Sequence, residues 1–265
     1  MATPQKIRCH VQQITAHGDH VYTVDLTPER PVPRFRPGQF LHLTLDDYDP
    51  SGFWPESRVF SIASSPAHRE CLRISYSVKG NYTTRMEKEL NPGRRVWVKL
   101  PYGDLVIQDT EDAILLAGGT GITAFISFIA GLPDTLHHRV FLAYGTRKTE
   151  LLIYRETIDA QVDAKKGFLA FYFVEKGGYK HGVKNQLAAT ALDAEPSYTA
   201  NKNQASSECF VTTGSLSIDA IWAHLENPHV ATFYIAGPPA MIQVLTGNLL
   251  CKNITPEQIK VDIWE

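Results

Sequence analysis

Ala113-Ile114-Leu115-Leu116-Ala117-Gly118-Gly119-Thr120-Gly121-Ile122-Thr123-Ala124-Phe125-Ile126-Ser127-Phe128-Ile129 decides how this chain folds. It opens on an uninterrupted apolar run, the pattern of a fully buried strand. Glycines stand at 118, 119 and 121, and Ile122, Phe125, Ile126 and Ile129 then recur with helical period. Strand, glycine turn and helix in that order offer a helix N-terminus and bare backbone N–H groups to an anion. A tight turn needs only one glycine; several, flanked by the hydroxyls of Thr120 and Thr123, point to a phosphate site. The spacing is neither G-x-G-x-x-G nor a P-loop, so alone it says only that the ligand carries phosphate.

The chain has 265 residues, enough for one large domain or two ordinary ones. Its hydrophobic content of 43% supplies a real core, and its net charge of −2 gives no electrostatic case for nucleic acid. Cys9, Cys71, Cys209 and Cys251 lie far apart with no C-x-x-C spacing, which argues against zinc or an iron–sulfur cluster. No bound metal is expected. Scattered cysteines, an N-terminus (Met1-Ala2-Thr3-Pro4-Gln5-Lys6) without an apolar core and no apolar run of membrane-span length fit a soluble cytoplasmic protein. It is expected to be a monomer without nucleic-acid or membrane partners.

Residues 6 to about 108 alternate polar and apolar side chains: Ile7–Ile14, Val21–Leu26, Gln39–Leu45, Leu72–Val78 and Arg95–Leu100. Proline, glycine and aspartate separate these runs, so they read as antiparallel strands of a small β-barrel. One helix is expected inside it, capped by Thr83 and stopped by Asn91-Pro92-Gly93. After residue 110 strands alternate with helices. Val140–Tyr144, Phe168–Val174, Cys209–Val211 and Phe233–Ala236 read as strands, with helices from Thr149 to about Ala164 and from about Ala240 to Leu250. That rhythm predicts a parallel sheet with helices on both faces. The division falls into an N-terminal domain of residues 1–108 and a C-terminal domain of residues 109–265. Glu195 to Glu208, rich in Ser, Asn, Ala and Gln, reads as a surface insertion.

Two further stretches carry chemistry. In Arg58-Val59-Phe60-Ser61 an arginine and an aromatic share one strand face, fit for a phosphate and a planar ring, although an ordinary half-buried strand with a surface arginine reads the same way. Lys79-Gly80-Asn81-Tyr82-Thr83-Thr84-Arg85 repeats the order of strand, glycine, hydroxyls and helix start, a second anion cradle. Two cradles imply two nucleotides, or one nucleotide and a phosphate-bearing cofactor.

With these motifs in this order, the chain resembles the ferredoxin–NADP reductase-like flavoenzymes over nearly its whole length. The family's Arg-x-Tyr-Ser motif reads Arg58-Val59-Phe60-Ser61 here. The resemblance implies that Arg58 binds the flavin phosphate, that Phe60, in place of tyrosine, stacks on the isoalloxazine, and that Ser61 bonds near its N5 as the catalytic contact. The family's Gly-x-x-Ser/Thr motif matches Gly80-Asn81-Tyr82-Thr83, with Thr84 beside it, and Ser75, Tyr76, Ser77 and Val78 match the strand lining the flavin. Pro37-Gly38-Gln39-Phe40 is typical of the barrel. Gly119, Thr120, Gly121 and Thr123 match the pyridine-nucleotide loop, and Gly145-Thr146-Arg147 and Gly237-Pro238-Pro239 the later nucleotide turns. Ala236 stands where many members have cysteine, which blurs the branch. Trp264 is in place to cover the flavin ring.

The resemblance implies hydride transfer from NAD(P)H to flavin and onward electron transfer. The flavin does the redox work and the protein positions it. The ten histidines, His42 and the pair His137-His138 among them, need no catalytic part. The cofactor is expected to be FAD, since the Gly80–Thr84 cradle would serve a second phosphate that FMN lacks. Glu175-Lys176 follows the strand that sets nicotinamide choice. A carboxylate there suits a ribose 2′-hydroxyl and repels a 2′-phosphate, a slight lean to NADH against the pull of Lys176, Lys180 and Arg147. No iron–sulfur motif is built in, so the acceptor is a separate ferredoxin-like, iron–sulfur or haem protein, or a small molecule. The alternatives are a flavin reductase that releases reduced flavin and a non-catalytic flavin-binding electron-transfer subunit.

Overall fold

In the computed structural model the described residues are 3–107, 110–176 and 209–262. Contacts divide the chain into two compact units. One comprises Met1–Ile107, Thr120–Gly131 and Val261–Glu265, the other Gln108–Gly119 and Leu132–Lys260, taking within them only the described residues.

The first unit is a six-stranded antiparallel barrel that is nearly closed. Its elements are β1 (Gln5–Gly18), β2 (Val21–Pro28), β3 (Phe40–Thr44), β4 (Arg58–Ser61), β5 (Leu72–Ser77), helix α1 (Asn81–Glu89) and β6 (Arg95–Tyr102). The strand order is β4-β3-β6-β1-β2-β5. Period-two patterning builds it: Ile7, Cys9 and Val11 of β1 and Val96, Val98 and Leu100 of β6 point inward and are buried, while Arg8, Trp97 and Lys99 between them face out. Tyr82 and Met86 of α1 join that core. The Tyr82 hydroxyl donates to the Leu43 carbonyl at 2.8 Å and accepts from the Leu45 N–H at 3.1 Å, which ties α1 to the end of β3.

The second unit follows, with β7 (Ala113–Gly118), a 3-10 turn at Gly119–Ile122, α2 (Thr123–Ala130, grouped with the first unit), β8 (Val140–Thr146), α3 (Arg155–Ala164), β9 (Phe168–Val174), β10 (Cys209–Thr213), α4 (Ile218–Trp222), β11 (Thr232–Ala236), α5 (Pro239–Cys251) and β12 (Ile259–Asp262). The sheet order is β10-β9-β8-β7-β11-β12, and β7, β8, β9, β10 and β11 pair in parallel. All of Ala113–Gly118 is buried, as an uninterrupted apolar run demands. Phe171 and Phe173 pack with Ile218 and Ile221 of α4 and with Leu245 and Leu249 of α5. From the opposite face of β9 the Tyr172 hydroxyl donates to Asp159 of α3 at 2.6 Å, so helices cover both faces.

Two expectations need correction. The barrel helix starts at Asn81 with Gly80 at its cap, because Thr83 accepts the Gly80 N–H from inside the first turn. The helix expected from Thr149 begins only at Arg155. Thr149–Leu151 form a 3-10 turn whose Leu151 carbonyl is held by the Tyr144 hydroxyl, and Tyr154, at φ 63°, breaks the path. Strand β12 and the five-residue helix α4 were not foreseen, being too short for a periodic signal. The Glu195–Glu208 insertion lies outside the described residues.

Tyr82→Phe removes one hydroxyl and strands two buried backbone groups. It is expected to lower the unfolding free energy by about 1–3 kcal/mol, read as a shifted urea midpoint at unchanged slope.

Candidate functional site

The turns marked in the sequence gather at the carboxyl ends of the parallel strands. Register brings them level: Gly118 pairs with Gly145, Thr146 with Val174, Thr213 with Val174, and Ala117 with Ala236. Gly118–Gly119, Gly145-Thr146-Arg147, Glu175-Lys176 and Gly237-Pro238-Pro239 therefore share one edge of the sheet, where ligands of open α/β sheets bind. Gly118 and Gly237 approach so closely that a Cβ on Gly237 would lie 3.1 Å from the Gly118 backbone, and one on Gly118 would strike Met241 and Pro238. Gly119 takes φ +54°, left-handed backbone that favours glycine, and space beside it is open to 4 Å. No acidic side chain stands in the first turn of α2 and none caps it. Thr123 is not the free donor expected, because its hydroxyl donates to the Thr120 carbonyl at 2.7 Å and braces the loop. The Thr146 hydroxyl is likewise engaged, by the Lys148 carbonyl at 2.9 Å. Gly121 is half-buried and Arg147 exposed.

Sequence reading missed one member of this edge. Ser215, just beyond β10, donates its hydroxyl to Glu175 Oε1 at 3.2 Å and orients that carboxylate. The Glu175 and Lys176 N–H groups donate to Thr146 and Arg147, which fixes the turn against its neighbour. Leu216 fills the space beside Gly145.

On the barrel, β4 and β5 are the ends of the strand order, so their edges form its seam. The Ala63 N–H donates to the Arg73 carbonyl at 2.8 Å and closes one end. Arg58 sits at the surface of its strand. Its guanidinium is half-exposed, donates to Glu56 at 2.8 Å and to the Ser57 carbonyl at 2.9 Å, and lies 4.9 Å above the Tyr82 ring. Val59 is half-buried opposite His42, and Ser61 is buried opposite Phe40. Phe60 belongs to the barrel core and meets Tyr76 edge-on at 6.2 Å. Tyr76 stacks on Tyr22 at 5.4 Å, and burial pushes its phenol well above the ordinary tyrosine range. Burial also pushes Tyr82 up to about 12. Ser75 bonds Thr23 at 2.7 Å, Ser77 pairs with Val21, and the Val78 N–H donates to the His20 carbonyl.

The start of α1 is a cradle in its own right. A Cβ at Gly80 would meet nothing within 4 Å, and no acidic residue occupies the first turn. Thr83 Oγ1 accepts from the N–H groups of Lys79 and Gly80 at 2.9 and 3.1 Å, while Thr84 closes back on Gly80. The N–H groups of Asn81, Tyr82 and Thr83 open the helix, where an anion is favoured. The other end of α1 is anchored from afar. His20 Nδ1 lies 2.6 Å from Glu87 Oε1, and the Tyr22 hydroxyl donates to the same oxygen at 2.7 Å. Trp264 lies outside the described residues. Among the described residues no cluster of three metal-ligating side chains occurs, and no helix is long and apolar enough to cross a membrane.

Glycine cradles with open space, bare helix starts and nearby cations fit the phosphates of nucleotide cofactors. Residues 115–246 match the oxidoreductase NAD-binding domain. The reductase component of propane 2-monooxygenase from Mycolicibacterium goodii is 21% identical over 266 residues, 97% of this chain and 67% of that protein. The phenol hydroxylase P5 protein of Acinetobacter pittii is 28% identical over 247 residues, 90% of this chain and 60% of that protein. The electron transfer subunit of dihydroorotate dehydrogenase B (probable) from Methanopyrus kandleri is 28% identical over 138 residues, 52% of this chain and 48% of that protein. The chain thus spans about half to two thirds of the length of these curated relatives. A ferredoxin NADP+ reductase from Neisseria gonorrhoeae, solved with FAD and NADP, superposes with a TM-score of 0.65 at 18% identity, covering 99% of both chains.

Glu87 holds His20 above the ordinary histidine range through its hydrogen bond and charge, and His20, with Tyr22, holds Glu87 below the usual carboxylate range. The His20 contribution is complete below the unfolded histidine value and is lost as pH rises through the raised one. The Glu87 contribution is complete above the unfolded carboxylate value and is lost as pH falls through the lowered one. Titration of His20 by NMR is expected to return toward about 6.5 in Glu87→Gln; an unmoved His20 would show that this pair does not brace α1. The barrel with its seam and cradle, and the parallel sheet with its row of turns, give this chain the fold of that ferredoxin NADP+ reductase, and residues 115–246 match the oxidoreductase NAD-binding domain.

Proposed function

We propose that the chain is an FAD-dependent NAD(P)H oxidoreductase that hands electrons to a separate acceptor protein. The observation that carries this is the pair of open glycine cradles, Gly80 before α1 and Gly119 before α2, each leading into a helix with no side-chain cap and no acid in its first turn. Residues 1–108 are assigned to FAD and residues 109–265 to the nicotinamide nucleotide. The names of the relatives, reductase components and an electron transfer subunit, support a separate acceptor protein, which we assign to the iron–sulfur or haem type. All four cysteines are free thiols, which supports a cytoplasmic setting.

When bound, the flavin supplies the chemistry, taking a hydride from the reduced nicotinamide and releasing electrons onward. The chain's own residues bind and orient. The N–H groups opening α1 and the Arg58 guanidinium receive phosphate, and Arg58 exchanges its bond with Glu56 for it. The Ser61 hydroxyl is assigned to the reacting nitrogen of the flavin, and Phe60, Tyr76 and Trp264 to the ring. The glycine turns along the sheet edge take the nucleotide backbone. Glu175, steadied by Ser215, accepts ribose hydroxyls and repels a 2′-phosphate, so NADH is favoured slightly.

The flavin released by heating is expected to have the mass of FAD; FMN alone would sink the assignment. Retention of that FAD through gel filtration distinguishes a reductase from an enzyme that uses flavin as a substrate. Anaerobic stopped-flow is expected to show bleaching of the flavin by NADH. A kcat/KM for NADPH more than about a hundredfold above that for NADH would overturn the role given to Glu175. Arg58→Ala is expected to weaken FAD retention about tenfold or more, since a charge-assisted phosphate contact is lost.

A further inference from the structure

The outward face of β1, β6 and β3 carries a stripe that the flavin reading does not use. Register sets Lys6 directly opposite Lys99, His10 opposite Arg95, and His42 opposite Lys99. Of these pairs Lys6 and Lys99 are like charges directly opposite one another, an arrangement that destabilises a sheet. Lys99 also contributes, after burial, to holding His42 below the ordinary histidine range. Glu29 answers Arg8 at 2.6 Å and His10 at 3.3 Å. Among the described residues Lys6, Arg95 and Lys99 have no carboxylate partner.

Aromatic rings are interleaved with these cations. Trp97 stands between Arg95 and Lys99 on β6, faces Arg8 at 5.6 Å and meets Tyr48 edge-on at 5.3 Å. Trp54 packs on Tyr48 at 5.3 Å, and Lys6 both hydrogen-bonds the Tyr48 hydroxyl and lies over its ring at 4.3 Å. Beside Trp54, Phe53 is fully exposed. Tryptophan, tyrosine and arginine grouped in this way, with an exposed aromatic anchor, match the residues that dominate protein–protein contacts.

We propose that this stripe is a docking face for a protein whose complementary patch is rich in carboxylates. β1 and β6 lie in the middle of the strand order while β4 and β5 end it, so closing the barrel puts the stripe across from the seam. The face therefore serves to hold a partner rather than to pass electrons through the seam, and it stands whether or not the flavin reading does. A carboxylate surface would neutralise Lys6, Arg95 and Lys99, and the apolar bodies of Phe53, Trp54 and Trp97 would supply the burial. Nucleic acid and anionic lipid are less suited, because they demand a broader positive field than a chain of net negative charge offers.

The test titrates the full chain with poly-L-glutamate, a DNA duplex and phosphatidylserine vesicles at low salt, following tryptophan emission, to which Trp54 and Trp97 contribute two of the four tryptophans. Poly-L-glutamate is expected to shift the emission, with the effect weakening as salt is added and falling about tenfold in affinity in the double variant Arg95→Glu, Lys99→Glu. Turnover of NADH with ferricyanide is expected to stay unchanged in that variant. Lys99→Glu alone, which turns the Lys6–Lys99 opposition into an attraction, is expected to hold or raise the melting temperature, so lost binding cannot be mistaken for unfolding. Equal binding by the double variant, tighter binding of DNA or vesicles than of poly-L-glutamate, a changed ferricyanide rate, or a lower melting temperature for Lys99→Glu would each overturn the proposal.

Discussion

Contact between Gly118 and Gly237 sets the scale of the second unit's working edge. Parallel pairing brings Ala117 level with Ala236, and the next residue on each strand must turn away at once. Neither position has room for a Cβ, since Met241, Pro238 and backbone atoms already fill the space. Backbone therefore meets backbone at the end of β7 and β11, and helix α5 starts immediately, with Pro239 at its first position and no N–H lost to it. A larger residue at either glycine would push α5 away and break the row of turns. The five parallel strands are thus less a core with a site attached than a device for ending strands at one level.

The barrel solves the corresponding problem by other means. Its antiparallel strands have no common end, so the first turn of α1 must be placed by side chains. Tyr82 holds the start of the helix to Leu43 and Leu45, and Glu87 holds the far end through His20 and Tyr22. The first contact is buried and neutral, and the second is solvent-facing and charged. Stability of the cradle therefore rests mainly on the Tyr82 hydroxyl, because a buried unsatisfied backbone group costs more than a screened ion pair returns. Tyr82 thus has a structural role whatever it does for a ligand: its ring lies under Arg58 while its oxygen is spent on backbone.

What could be read from sequence alone follows from how far each signal reaches along the chain. Val96, Val98 and Leu100 announce their strand because burial repeats every second residue. Gly118, Gly119 and Gly121 announce their turn because glycine is the local answer to a local backbone demand. The Thr149 helix misled because Leu151, Leu152 and Ile153 have helical composition, while the Tyr144 hydroxyl on β8 and the left-handed Tyr154 dictate another path. Contacts between distant residues leave no local mark: Glu87 meets His20 across 67 positions, and Ser215 meets Glu175 across 40. For Arg58 the sequence left two readings open, and only its place on a short strand at a barrel edge shows the guanidinium half in solvent beside Glu56.

The same reasoning bears on why the cation stripe deserves a role. A solvated sheet face has many low-energy compositions, and alternating opposite charges across β1 and β6 would be the stabilising one. This chain alternates correctly elsewhere: Asp25 and Arg73, directly opposite on β2 and β5, form a two-pronged pair at 2.5 and 2.9 Å. Across β1 and β6 Arg8 is answered by Glu29, but Lys6 and Lys99 stand directly opposite one another with no carboxylate between them. Opposed charges on a rigid face are stable only while water or a partner separates them, and aromatic rings beside them lower the return from water. The physical asymmetry between the two faces, rather than the number of positive charges, is what marks the β1–β6 side as a surface meant to be covered.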